Sequence, residues 1–491
     1  MKFGVVTFTD PREVALSDER ERYNMKKHIE FVNFIRKFCK IVDGNQVLQK
    51  KEKNFGISNM EEVFAVERVF KKEDICGLFI LLPTWTEPNL PLSLASRLNV
   101  PVMLYSEDEG LWPGTTCMTS TGATFWQNSS SIYVLKHFRS MEKEKVIPWI
   151  RSVSALNKLK KSSLLLLGGS YSLSMEHLEE DVSCIKRLFV NDVIFESEYP
   201  IIQRAEDILN NEEERVNAFL EWIKKNGCKI IYDEKMVTAD SLKKQSAIYL
   251  AVKDFVNSRD DIIGLSLKCQ PDLSVHYGVT GCFVPAFMPF TADSEGKKRS
   301  IAAVCEGDIK GLLSSVLLET LAGIPALFGD LKYVDDGFMI ISNCGASSIY
   351  YASKSCDPSE TLKNVKLMAQ CQGASGSAVH YTGFPSEVTV ARFIRVEDTY
   401  FLQSAVGKIE KLSDELKKKI VWGSSWPIIP IRLSENIDRD LLINSFGSNH
   451  YSAVYGNYIE ELSIVSKLLG IRMVRMDRES SIIQFLNEVY G

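Results

Sequence analysis

The sequence predicts an α/β protein with two Rossmann-like parallel-sheet α/β domains followed by a mainly antiparallel, β-barrel-like carboxy-terminal domain. Three observations carry this. A chain of 491 residues exceeds one hydrophobic core, and at roughly 100 to 200 residues per domain it should hold about three. Up to about residue 325, short wholly apolar runs alternate with amphipathic ones, which is the pattern of parallel strands covered by helices on both faces. From Ala326 onward the runs become short and β-like, broken by Gly, Ser and Pro without long helices between them. The expected domains are 1–160, 161–325 and 326–491.

In the first domain, Lys2 to Phe8, Cys76 to Leu82 and Val100 to Tyr105 read as strands, while Glu19 to Val42 and Ser131 to Leu159 read as helices. The second opens with a strand, Ser163 to Leu167, that runs into Gly168-Gly169. Strands are expected at Asp192 to Glu196, Cys228 to Tyr232 and Ile262 to Leu267, and helices at Asn211 to Lys225 and Ser241 to Asn257. The Gly-Gly step lacks a third glycine and a ribose-binding acid, so no dinucleotide site is expected there. In the third domain, Phe338 to Ile341, Ser377 to Tyr381, Glu387 to Arg395 and Tyr400 to Ala405 are strands, and Glu460 to Leu469 is a last helix. No repeat or Pro-rich linker separates the domains.

Composition excludes several classes of function. A 45% hydrophobic, 25% charged chain has enough apolar surface to fold throughout. With net charge -5 it has no global basic field for nucleic acid. Its longest apolar stretch in the first half, Ile75 to Pro83, is far short of the ~20 residues of a membrane span, and Met1 leads straight into a strand with no signal peptide. Eleven cysteines with no CxxC pair suit a reducing cytoplasm.

The chemistry concentrates around Ile301 to Asp308. An apolar strand delivers Glu306 at its carboxyl end, and a helix with Leu312, Leu313, Val316, Leu317 and Leu321 on its apolar side begins at once and stops at Gly323. Asp308 takes the helix-capping role there, which leaves Glu306 at the strand-to-helix crevice where α/β folds bind ligands. Asp330 again ends a short apolar run, and one helix between the two acids would let them converge. His450 is one of only six histidines, none in an HExxH spacing, so a zincin is excluded. Two carboxylates plus one imidazole suit Mn(II) or a similar borderline-hard divalent ion better than structural zinc.

Cys305-Glu306-Gly307-Asp308, Gly329-Asp330, Cys344-Gly345, Pro385 to Arg392 and Ser448-Asn449-His450, in this order and spacing, resemble the L-fucose isomerase family. The resemblance implies a metal-dependent aldose–ketose isomerase working through an enediol. Glu306, Asp330 and His450 match its three manganese ligands, with Glu306 and Asp330 also the catalytic acid–base pair. It also implies substrate contacts from Arg12, Trp85, Trp426 and Asn449, with Trp85 lent by a neighbouring subunit of a trimer or hexamer. For each tryptophan, ordinary core packing is the competing expectation. Lys268 and Gln270 are expected on a solvated loop. Asn343 stands where the family often has a histidine, so no proton shuttle is expected there and the sugar can differ from L-fucose. The rival expectations are an epimerase or an isomerase of an acidic or sulfonated sugar on the same fold, and a non-catalytic sugar-binding or sensory protein.

Overall fold

The computed structural model describes residues 1–107, 110–129, 135–370, 374–420 and 427–491. The chain forms two compact units, Met1–Asn157 and Lys158–Gly491. In the first, strands β1 (Lys2–Thr7), β2 (Lys40–Asp43), β3 (Gly77–Leu81), β4 (Val102–Tyr105) and β5 (His137–Ser140) form a parallel sheet in the order β2-β1-β3-β4-β5. β3 and β4 are buried on both faces, as their unbroken apolar sequences require. The expected helix from Glu19 ends at Ile35, and Lys40–Asp43 is the edge strand β2 instead. Similarly, the segment expected as helix from Ser131 contains β5 before the helix Val146–Lys160, and residues 130–134 lie outside the described ones. Both missed strands are four-residue edges with charged residues in them, too short and polar to interrupt a helical pattern.

The second unit begins with a parallel sheet of β6 (Ser163–Leu167), β7 (Asp192–Glu196), β8 (Ile262–Leu267) and β9 (Ala302–Cys305), ordered β9-β8-β6-β7. A helix Glu198–Asn211, capped by the Ser197 hydroxyl, precedes the expected one at Glu213–Lys225. The expected strand Cys228 to Tyr232 shrinks to Lys229–Ile230, which joins a small ribbon with Lys366–Ala369 and Ser377–His380.

The remaining strands close on themselves. β10 (Leu327–Asp335), β11 (Phe338–Ser342), β12 (Glu387–Val396), β13 (Thr399–Ile409), β14 (Ile429–Leu433) and β15 (His450–Tyr455) form an antiparallel ring in the order β12-β15-β10-β11-β14-β13, sealed by β12 against β13. Closure pairs every edge and leaves one face of each strand for a core inside. The helix Ile459–Leu469 is not the last: β16 (Arg472–Arg475) adds to β13 in parallel, and the helix Glu479–Tyr490 packs on it.

One helix joins the parallel sheet to the barrel. Ile309–Ala322 runs from the end of β9 across the outer faces of β12 and β15, and its leucines and Val316 are buried, each stabilising the packing by about 1.5–3 kcal/mol. Gly323, at φ 69°, ends it in the left-handed conformation that the terminal glycine predicts. No helix among the described residues is long and apolar enough to cross a membrane.

Candidate active site

Glu306 follows β9 directly, at a corner fixed by two backbone bonds: its N–H donates to Leu267 O and its carbonyl accepts from Ser172 N–H, both at 3.0 Å. Its φ is 67°, a left-handed conformation that costs a non-glycine residue roughly 1–2 kcal/mol. Such strain persists only where the surroundings impose it, and it clusters at functional sites. Gly307 continues the corner at φ 70°, where a Cβ would sit 2.6 Å from the backbone of Ser170 and Tyr171. Gly307→Ala is therefore expected to destabilise the protein by about 1–3 kcal/mol in a denaturant titration. It should also displace Glu306.

Asp330 lies within β10 rather than at the end of a run, and it is the direct cross-strand partner of His450 at the start of β15. The pairing puts both side chains on one face. His450 is fully buried, with Nε2 3.1 Å from Glu306 Oε2 and 3.2 Å from Asp330 Oδ1. Neither contact lines up as a hydrogen bond, so Nε2 is a buried nitrogen without a hydrogen-bond partner. On the other side of the ring, Nδ1 is 2.9 Å from Asp308 Oδ2.

Asp308 does more than cap the helix. Its Oδ1 accepts the Gly311 N–H at 2.8 Å, as the sequence predicts, while Oδ2 meets both His450 and the Arg392 guanidinium, Nη1 at 2.5 Å. Asp308 and Arg392 are fully buried, and Arg392 Nε and Nη2 make no hydrogen bond. Burial alone would raise the Asp308 pKa, but Arg392 and His450 outweigh it and hold the carboxyl well below its ordinary range. For His450, burial favours the neutral ring, yet Asp308, Asp330 and Glu306 together hold its pKa well above the ordinary value. Asp308 is the partner that orients the histidine: by accepting the Nδ1–H it turns Nε2 towards the two other acids.

Around this centre, Asn449 donates from Nδ2 to Asp330 Oδ1 at 2.9 Å, and its Oδ1 is 3.0 Å from Nε2 of the exposed His177. Asn343 is buried; its Nδ2 donates to Cys305 Sγ at 3.5 Å and its Oδ1 has no hydrogen bond. Gln270 is half-buried and lines a small cavity with Glu306, so it is not on a solvated loop; Lys268 is half-buried too. In the first unit, Arg12 pairs with Asp10 at 2.9 Å with most of its side chain exposed, and Trp85 packs partly buried on the core. Trp426 lies outside the described residues.

Among the described residues, no group of three or more His, Cys, Asp and Glu side chains stands in an arrangement that could hold a metal ion. His450 Nε2 instead touches both carboxylates. Their separations of 3.1 and 3.2 Å are nevertheless close to the ~3 Å between neighbouring ligands of an octahedral ion with bonds near 2.1 Å. Two carboxylate oxygens and one imidazole nitrogen without a hydrogen-bond partner, backed by a buried carboxylate, are donor types that a borderline-hard divalent cation accepts.

Sequence reasoning missed Arg392, the second role of Asp308 and the contact of His177. An arginine inside the apolar run Val388 to Ile394 was a signal, because a buried guanidinium needs an acid partner. His177 carried none.

Residues 341–477 match the family described as L-fucose isomerase, C-terminal domain. A sulfoquinovose isomerase from Clostridium sp. (strain MSTE9) is 25% identical over 232 residues, 46% of each chain. Sulfoquinovose isomerases from Priestia aryabhattai and Priestia megaterium (strain ATCC 12872 / QMB1551) are 25% identical over 226 residues, 45% of each chain. The chain thus spans about half the length of the curated relatives it matches. The family segment contains His450, Asn449, Arg392 and Asn343, while Glu306 and Asp330 precede it. Residues 341–477 of this chain are thus similar to the carboxy-terminal domain of L-fucose isomerases.

Proposed function

We propose that this protein is a divalent-metal-dependent aldose–ketose isomerase, with Mn(II) as the preferred ion. The observation that carries the proposal is the buried His450 Nε2, faced by Glu306 and Asp330 and fixed from behind by Asp308. Glu306, Asp330 and His450 would hold the ion. When bound, it would supply Lewis-acid stabilisation of the negative charge that develops on the sugar oxygens. Glu306 and Asp330 divide the proton transfers: one carboxylate takes the proton from C2 and the other serves the C1 side, through an enediol of the open-chain sugar. Proton transfer by a placed carboxylate is worth about 10²- to 10⁴-fold. Asn449 holds one oxygen of Asp330 in place and would contact the substrate.

The relatives' names favour one substrate class, an aldose bearing an anionic group such as a sulfonate. We place the enzyme in the cytoplasm as a homo-oligomer, a trimer or hexamer in which a neighbour lends Trp85 to the sugar pocket, with Arg12 near the substrate. The test is a panel of neutral, carboxylated and sulfonated sugars with Mn(II), followed by NMR in deuterated water. Ketose formation with deuterium entering at the transferred carbon is expected. Binding without turnover of any sugar would point to a sugar-binding protein instead, and inversion at a single carbon to an epimerase. Removing metal with a chelator is expected to abolish turnover, with recovery on adding Mn(II); undiminished turnover of protein shown by elemental analysis to be metal-free would refute metal dependence.

A further inference from the structure

The parallel sheet of the second unit has a crevice that the proposed reaction does not use. Its strand order, β9-β8-β6-β7, reverses at β6, whose two neighbours β7 and β8 both follow it in the chain. Open α/β sheets bind ligands outside the carboxyl ends of their strands at such a reversal. Here the segments that leave β6, β7 and β8 line an open crevice of about 530 Å³ with Gly168, Phe195, Glu196, Glu198, Tyr199 and Asp272. The size is that of a small-molecule site.

One wall residue lacks a partner. Glu198, the first residue of the helix Glu198–Asn211, is only 5% exposed, yet neither of its carboxylate oxygens has a hydrogen bond. A buried carboxylate with no donor carries an uncompensated desolvation cost. In keeping with this, burial and then the negative Asp272 push its pKa up to about 8, and Lys268 offsets only part of the shift. Gly168, at φ 86°, leaves the space against this carboxylate unfilled: a Cβ there would sit 2.8 Å from Glu198 Oε1 and 3.0 Å from its Cδ. Any side chain at that position would close the approach.

The walls select the chemistry of the missing partner. Glu196, Glu198 and Asp272 make the crevice negative, so it repels phosphate and the Gly168-Gly169 step is not an anion loop. Phe195 and Tyr199, 49% and 63% exposed, offer apolar and π faces beside the acids. Such faces give no ligand to a hard metal ion, which wants oxygens all round, but they attract an organic cation and cover its carbon chain. We infer that this crevice binds a small molecule through a primary ammonium group, which donates to the oxygens of Glu198 while Asp272 and Glu196 balance its charge. Phe195 and Tyr199 would cover the attached methylenes.

The test is isothermal titration of the full chain, with Mn(II) present, using 1,4-diaminobutane as the probe and the isosteric 1,4-butanediol as its uncharged control. The diamine is expected to bind with a Kd below about 1 mM and the diol not to bind in that range. Glu198→Gln keeps the shape of the side chain and removes its charge, and should weaken the diamine about tenfold or more. Asp272→Asn, on a different segment, should weaken it as well and decides the matter if Glu198→Gln does not fold. Absence of diamine binding, equal binding of the diol, or wild-type affinity in the folded variants would overturn the inference. Displacement of the diamine by an equal concentration of Mg(II) would also overturn it, by making the crevice a metal site. Sugar turnover is not read, so the amine site and the isomerase proposal stand or fall separately.

Discussion

Glu306→Gln is expected to lower kcat/KM for the sugar by about 10³-fold or more while leaving the fold intact. The substitution keeps the size and shape of the side chain, so the left-handed corner and its two backbone bonds survive. What it removes is one anionic oxygen 3.1 Å from His450 Nε2, together with the ability to carry a proton. A carboxylate that is both ligand and base loses both functions at once. Asp330→Asn should behave in the same way, since its Oδ1 lies 3.2 Å from the same nitrogen. Circular dichroism and a sugar assay at saturating metal check both variants. Wild-type turnover in a folded Glu306→Gln protein would remove this residue from the chemistry.

The second large effect is on stability. Asp308→Asn leaves the Arg392 guanidinium buried with no opposing charge, and breaking such a pair costs about 3–5 kcal/mol. Because Asp308 also holds His450 Nδ1, metal affinity should fall about 10- to 100-fold in the molecules that remain folded. Denaturant titration and metal titration read the two losses separately. A pH dependence goes with them: since the folded Asp308 pKa is depressed, its contribution is complete above the unfolded carboxyl value of about 3.9 and is lost as pH falls towards the folded value. Wild-type stability should therefore drop more steeply than that of Asp308→Asn on acidification below about pH 4.

Much of this architecture was legible from local pattern. Wholly apolar runs such as Ser163 to Leu167 and Ile262 to Leu267 are strands because only a sheet covered on both faces can bury every side chain. Glu306 was legible as an acid delivered by such a strand. Two carboxylates and a histidine were as far as the residues went; what drew them into one site was family resemblance, and the structure brings Asp330 and His450 together through the pairing of β10 with β15, while Glu306 meets His450 from the end of β9. The barrel was legible, but the order of strands around it was not, since no local pattern says that β12 pairs with both β13 and β15. Nor was the full role of Asp308, because capping uses one carboxylate oxygen and the partners of the other come from strands far along the chain. Arg392 becomes buried only when the helix Ile309–Ala322 covers its strand.

The most direct measurement is the anomalous diffraction of crystals soaked in Mn(II). One strong peak within bonding distance of Glu306, Asp330 and His450 Nε2, absent from Asp330→Asn crystals, is the expected result. A peak elsewhere, or none at these side chains at a concentration that supports turnover, would contradict the proposed metal centre.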